Sequence, residues 1–348
     1  MRFQFLTIII VLILIIFNCS TSEKSNNLSI FDGSTMGTYY AVKIPAQTLD
    51  SLDFNTKQLQ SSIDSLLDSI NQKMSTYIED SEISRFNHYQ NTDWFSISKE
   101  LRQVIESSIV ISQKSGGTFD ITVGPLVNLW GFGIENRDEL IPTDEEVKNR
   151  MSVVGYKKIS THSEPSAIKK EIVEMFCDLS GIAKGYGVDK IAELLDSLKI
   201  ENYLVDIGGE IKTKGKNHLR KAWKIGISTP DDKMGIQKVV LLENKSVATS
   251  GDYRNYFEKD GVRYSHTIDP RTGRPITHRL ASVTVVHDTC MIADGLATAI
   301  TVLGPQNGYE FALREELPVF MIVRQQEGFI EKMTPKFKRY LSQKKDKK

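Results

Sequence analysis

The chain has 348 residues, and its 44 Lys+Arg are balanced by 44 Asp+Glu, for a formal net charge of zero. That balance argues against a nucleic-acid binder, which carries a basic surplus, while 25% charged and 40% apolar residues exclude wholesale disorder. With 23 Gly and 10 Pro the chain is neither collagenous nor low-complexity, and 3 Cys cannot make a disulfide scaffold.

Arg2 precedes an apolar run over residues 3–17, broken only by Gln4 and Thr7, and Cys19 follows at once. The run reads as the h-region of a secretory signal and is short for a membrane span. With the polar stretch behind it, the layout resembles a bacterial lipoprotein signal. Residues 1–18 are then a signal peptide, Cys19 the acylated first residue of the mature chain, and residues 19–30 a polar spacer. Asn18 stands where a small residue is usual, so an uncleaved anchor or a cut elsewhere is the alternative. Either way the remaining chain lies outside the cytoplasm.

Residues 35–44 alternate as an opening strand. Leu59, Ile63, Leu66, Leu67 and Ile70 keep helical spacing to about Asn71. Ser98 reads as the N-cap of a helix with Leu101, Val104, Ile105 and Ile109 on one face, ended by Gly116 and Gly117. Thr143 and Glu146 form a capping box. Strands are expected over residues 173–179, 203–207, 223–228, 239–242, 282–287 and 319–323, and helices over 184–198, 293–303 and 305–317. Cys177 and Cys290 sit in apolar runs and read as buried structural thiols. From Lys332 the tail is basic and polar, a solvated end over residues 332–348. Helices and strands alternate without βαβ regularity. The expected class is therefore α+β, a single intertwined unit of mixed sheets with packed helices over residues 31–331.

No GxGxxG, GxxxxGK[ST], GxSxG or HExxH motif is present. Four clusters remain. In Asp178-Leu-Ser-Gly181-Ile-Ala-Lys184-Gly-Tyr-Gly, a turn rich in glycine enters a helix, so backbone can approach an anion and Lys184 adds a point charge. A plain strand–turn–helix with a solvated lysine is the alternative. Asp294 and Thr298, four residues apart, share one helix face among apolar neighbours. A hard cation would satisfy the buried carboxylate; Asp294 capping the helix start and Thr298 bonding its own backbone would also do so. His266 precedes a turn built on Asp269, Pro270 and Gly273. Gly117-Thr-Phe-Asp120 and Thr249-Ser-Gly-Asp252-Tyr are polar loops with glycine, unspecific alone.

Together these clusters resemble the ApbE family of FAD:protein FMN transferases. The likeness runs from about Gly33 to Gly304, with the pieces in family order: Thr-Met36-Gly-Thr, Met74-Ser-Thr-Tyr77, Gly117-Thr118-Phe119-Asp120, Leu129-Trp-Gly-Phe-Gly133, Asp178 to Lys184, Val205-Asp-Ile-Gly-Gly-Glu210, Thr249-Ser-Gly-Asp252, Ser265-His266-Thr-Ile268-Asp and Ala293-Asp294-Gly-Leu-Ala-Thr298. The resemblance implies a T-fold-like enzyme that uses FAD and Mg²⁺, places FMN on a Thr or Ser hydroxyl of an exported protein, and releases AMP. It maps FAD contacts to Met36, Tyr77, Thr118, Phe119, Asp120, Asp178, Lys184 and Ile268, and Mg²⁺ ligands to Gly181, Asp294 and Thr298. His266 and Asp252 are the candidate bases, with Lys184 at the departing phosphate. Gly295, where many members have alanine, is expected to matter little. The expected partner is a flavoprotein subunit of a membrane electron-transport complex, met at the periplasmic face of the inner membrane by a lipid-anchored enzyme. A hydrolase giving FMN and AMP from the same site, and a non-enzymatic FAD-binding lipoprotein, are the competing readings.

Overall fold

The structure is a computed structural model that describes residues 28–50, 55–134, 141–230, 235–251 and 256–341; the expectations on Asn18, Cys19 and Asp252 lie outside these. Its centre is an eight-stranded sheet: β1 (Leu28–Thr35), β2 (Thr38–Pro45), β3 (Tyr203–Ile207), β4 (Glu210–Lys214), β5 (Ser246–Gly251), β6 (Leu280–His287), β7 (Val319–Arg324) and β8 (Phe329–Met333). Strand order in the sheet follows chain order, and every neighbouring pair is antiparallel. The sheet is thus one long meander, with the helices inserted between strands.

Four long helices carry most of those insertions: α1 (Thr56–Met74), α2 (Lys99–Ser115), α3 (Ala183–Ser197) and α4 (Cys290–Arg314). α3 packs on β3 and β4, α4 packs on β5 and β6, and α1 and α2 lie against this pair. Strand periodicity sends alternate residues of β3 to opposite faces. Val205 and Ile207 meet Val188 and Ile191 of α3, while Leu204 faces Trp223 and Ile225. Those two belong to a hairpin, Trp223–Ser228 paired with Ile236–Leu242, that covers the second face. With both faces covered, β6 is buried along almost its whole length, Ser282 and Thr284 included.

The helix signals hold. Ser98 accepts from the Leu101 amide, Gly116 ends α2 in the left-handed region, and Thr143 and Glu146 close their capping box. The predicted break between two helices falls at Gly304, where φ is 79° inside α4. Cys177 and Cys290 are free and buried, and burial pushes both thiols up, away from reactivity.

Four expectations are corrected. Residues 35–44 are not one strand: Met36 and Gly37, at φ 49° and 71°, turn the chain between β1 and β2. Residues 173–179 are not a strand, because their backbone is satisfied otherwise. The Asn87 side chain bonds both the amide and the carbonyl of Cys177, at 2.7 and 2.9 Å, and the Asp178 amide donates to Ile121 O at 2.7 Å. The polar run at Thr249 continues β5 as far as Gly251. The fold also exceeds residues 31–331 at both ends. It starts at Leu28, and Phe337 in the supposed solvated tail is fully buried and stacks on Phe320 at 5.5 Å.

Candidate active site

One end of the meander opens on a cavity of about 370 Å³. The turn before α3 supplies Asp178 and Gly181, the first turn of α3 supplies Lys184, the start of the segment after α2 supplies Thr118, Phe119 and Asp120, and α4 supplies Asp294 and Thr298. His266 and Ile268 close another side, and Tyr77, 74% exposed, stands at the rim. Met36 lies instead in an adjoining cavity of about 610 Å³ that shares Tyr77, Ser180 and Lys184 with the first. Every mapped residue within the described chain therefore borders one continuous region.

The floor is a buried charge cluster. Lys184 Nζ lies 2.7 Å from Glu210 Oε2, whose side chain is 2% exposed. Asp294, 3% exposed, accepts from the Gly185 amide through Oδ2 at 3.0 Å. Burial raises the Asp294 and Glu210 carboxyls, against the pull of the Lys184 ammonium. Burial alone would lower Lys184, but Glu210 and Asp294 more than reverse this and hold it protonated. Asp294 does not cap its own helix, since Thr289 is the residue before Cys290, and Thr298 does not bond its own backbone; its hydroxyl lies 3.2 Å from Ser250 Oγ. A Cβ built on Gly181 would come within 3.3 Å of Thr298 Oγ1, so the glycine turn and the threonine are in contact range.

The Thr298 and Ser250 hydroxyls line the cavity with Asp294, and among the described residues no cluster of three or more His, Cys, Asp or Glu forms a metal cage. One buried carboxylate with neutral oxygens is a donor set for Mg²⁺, which keeps waters and substrate phosphate, and not for zinc. Gly181, Asp294 and Thr298 fit that ion.

Profile comparison places residues 36–321 in the ApbE family. The chain belongs to the ApbE family. It is 45% identical over 331 residues to the FAD:protein FMN transferase of Vibrio cholerae, across 95% of this chain and 97% of that protein. The Escherichia coli K12 FAD:protein FMN transferase is 38% identical over 320 residues, across 91% and 90%. Among solved structures, the flavin transferase ApbE of Vibrio cholerae superposes with a TM-score of 0.82 at 43% identity, over 90% of this chain and 99% of that one. The apo flavinyl transferase ApbE of Pseudomonas stutzeri gives 0.81 at 36%, over 90% and 96%.

Within this ApbE chain some mapped residues spend their polar atoms on structure. Asp120 accepts from the Thr122 amide and hydroxyl and from the Tyr156 amide, at 2.7–2.9 Å, and Thr118 donates to Ala299 O at 3.2 Å. Asp178 accepts from the Ser180 amide and hydroxyl. These bonds shape the cavity wall. Two contributors escape a sequence reading. Glu210 was visible only as the end of Gly-Gly-Glu, and nothing along the chain ties it to Lys184. Gly185 lets α3 approach α4 closely: an added Cβ would sit 2.5 Å from Cys290 O and 2.8 Å from the Asp294 Cβ. At Gly295 an added methyl would meet Ile111 Cδ1 at 2.6 Å, the movable end of a side chain and not backbone.

Proposed function

We propose that this chain is a Mg²⁺-dependent FAD:protein FMN transferase that attaches FMN through a phosphoester bond to a Thr or Ser hydroxyl of an exported protein and releases AMP. The observation that carries the reading is the gathering of Lys184, His266, Gly181, Asp294 and Thr298, from distant segments, around one cavity in a chain with FAD:protein FMN transferases among its relatives. Mg²⁺ held by Asp294, Thr298 and the Gly181 carbonyl would neutralise charge on the pyrophosphate oxygens. Lys184, fixed by Glu210, presents a point charge where negative charge gathers on the departing AMP. His266, at the cavity wall, takes the proton of the acceptor hydroxyl. The acceptor oxygen then bonds to the phosphorus of the FMN half, and the P–O bond to AMP breaks with its electron pair leaving on AMP. Tyr77 at the rim offers a flat face to a ring of the dinucleotide. The enzyme works as a lipoprotein anchored through Cys19 at the periplasmic face of the inner membrane, on a flavoprotein subunit of an electron-transport complex.

The test incubates purified chain, FAD and Mg²⁺ with and without a co-expressed candidate acceptor, reading in-gel flavin fluorescence and AMP. AMP release that needs the acceptor, with a fluorescent acceptor band, is the expected result. Equal AMP release without acceptor assigns a hydrolase instead, and bound FAD left intact assigns a carrier. For location, Cys19→Ser should release the protein and abolish incorporation of labelled fatty acid; a mature chain starting elsewhere overturns the anchor.

A further inference from the structure

The end of the sheet away from the cavity carries a basic loop, none of whose residues lines the cavity or the one adjoining it. In β1–β2 the turn at Met36 borders the cavity region, while Leu28 pairs with Pro45 at the other end. β4 runs the same way, with Glu210 beside Lys184 and Lys214 at the far end. Beyond it the sequence holds Lys212, Lys214, Lys216, Arg220, Lys221 and Lys224, with no acidic residue between Glu210 and Asp231. Lys212 and Lys214 are paired with Asp189 and Asp196. Lys216, Arg220, Lys221 and Lys224 are exposed, and none has an ion pair among the described residues. At the tip, beside Arg220, Leu219 is 60% exposed. Lys216 and Arg220 line one groove with Pro45 and Lys199, in which Glu201 is the only acidic side chain. The described chain therefore starts, at Leu28, beside this basic groove.

We propose that the loop over residues 215–221 docks on anionic phospholipid headgroups and seats the domain with its cavity turned away from the bilayer. This rests on the reading of the N-terminal segment as a membrane anchor. Residues 20–27 then span at most about 28 Å when extended, so the tether holds its own end of the domain near the lipid surface. At such effective concentration weak attraction suffices. Unpaired Lys and Arg are drawn to an anionic leaflet, and an exposed leucine among them can enter the headgroup boundary. An acidic protein partner would satisfy the charge alone; the tether exit and the apolar tip select the membrane.

The test uses the full chain on vesicles of phosphatidylcholine alone or mixed with phosphatidylglycerol. Co-flotation with phosphatidylcholine reports the anchor by itself. Amide exchange over residues 215–221 reports the loop, and should slow about 10-fold or more only on the mixed vesicles, reverting in about 1 M salt, where the Debye length is about 3 Å. Lys216→Glu, Arg220→Glu and Lys221→Glu together should cut the docked fraction on the order of 10²-fold or more and restore fast exchange, with transfer to a soluble acceptor retained. Equal exchange on both lipids overturns the proposal. If the chain does not float on phosphatidylcholine, the anchor reading fails, and the same exchange comparison with added vesicles still decides the loop.

Discussion

Replacing Gly185 with alanine tests whether the crossing of α3 and α4 sets the position of Asp294. The added methyl would meet backbone at Cys290 O at 2.5 Å, where ordinary contact begins at 3.4 Å, and the Asp294 Cβ at 2.8 Å. Backbone cannot rotate away as a side-chain end can, so the helices must part by several tenths of an ångström. Overpacking of this kind costs about 1–3 kcal/mol, partly offset by the roughly 1 kcal/mol gain in helix propensity from Gly to Ala. The net loss of about 0–2 kcal/mol lowers Tm by roughly 0–3 °C in a chain of this length. Activity should suffer more than stability. The 3.0 Å bond from the Gly185 amide to Asp294 lies in the crossing itself, and a misplacement near 1 Å costs on the order of 10²-fold in rate. Single-turnover FMN transfer and thermal unfolding on the same preparation measure both. Gly187→Ala is the control, because its new Cβ meets only the flexible ends of Met36 and Ile207 at 3.0 Å. A Gly185→Ala enzyme with wild-type turnover would refute the reasoning, whatever its Tm.

Asp294→Ala should abolish transfer while costing only about 1 kcal/mol of stability for the lost Gly185 bond, and chelation of Mg²⁺ should mimic it; Thr298→Ala should weaken Mg²⁺ dependence less, and full activity of Asp294→Ala at low Mg²⁺ rules the assignment out. Gly295→Ala should cost less than about 1 kcal/mol in urea denaturation, because only the movable Ile111 Cδ1 lies in its way and the helix-propensity gain offsets the repacking; a loss above about 2 kcal/mol would show that Ile111 cannot move. His287 is lowered by burial, and its Nδ1 accepts from the Thr289 amide at 3.1 Å. Its stabilisation is therefore present above the unfolded value near 6.5 and lost as pH falls through the depressed native value. Tm measured from pH 8 down to 5 should drop less in His287→Asn, and parallel curves would exclude His287 as the cause.

Local signals were legible where local physics decides. Ser98, Gly116, Thr143 with Glu146, and the break at Gly304 act within one turn of backbone, and each is found where the sequence places it. The site motifs were legible as pieces because each is a turn or helix start with its own glycine or charge. What joins them was not. The strand expected over residues 173–179 fails because a side chain 90 positions away, Asn87, supplies its hydrogen bonds. The buried tail depends on Phe337 meeting Phe320, and Glu210 gains meaning only when β4 lies beside α3. Pairings of this range leave no period in the sequence.

Glu210 is the least expected member of a site meant for a pyrophosphate. Lys184 faces two buried carboxylates, Glu210 and Asp294, so the fully ionised cluster carries one excess negative charge. An uncompensated buried charge is costly, and the raised carboxyls express that cost as retained protons. A lysine paired with Asp294 alone would be neutral overall and open to any phosphate. With Glu210 present the floor retains a proton and offers a pyrophosphate no net positive charge, which a divalent cation of the proposed reaction would supply. At 5 Å and an effective dielectric near 20, each unit of charge is worth about 3 kcal/mol to a phosphate oxygen before desolvation, so a doubly charged ion would make the floor net positive. In the proposed transfer Glu210 would then hold the ammonium in place as charge moves onto the departing AMP. On this account the second carboxylate would make capture of FAD conditional on the metal of the proposed reaction, and would leave Lys184 to favour the transition state over the bound substrate.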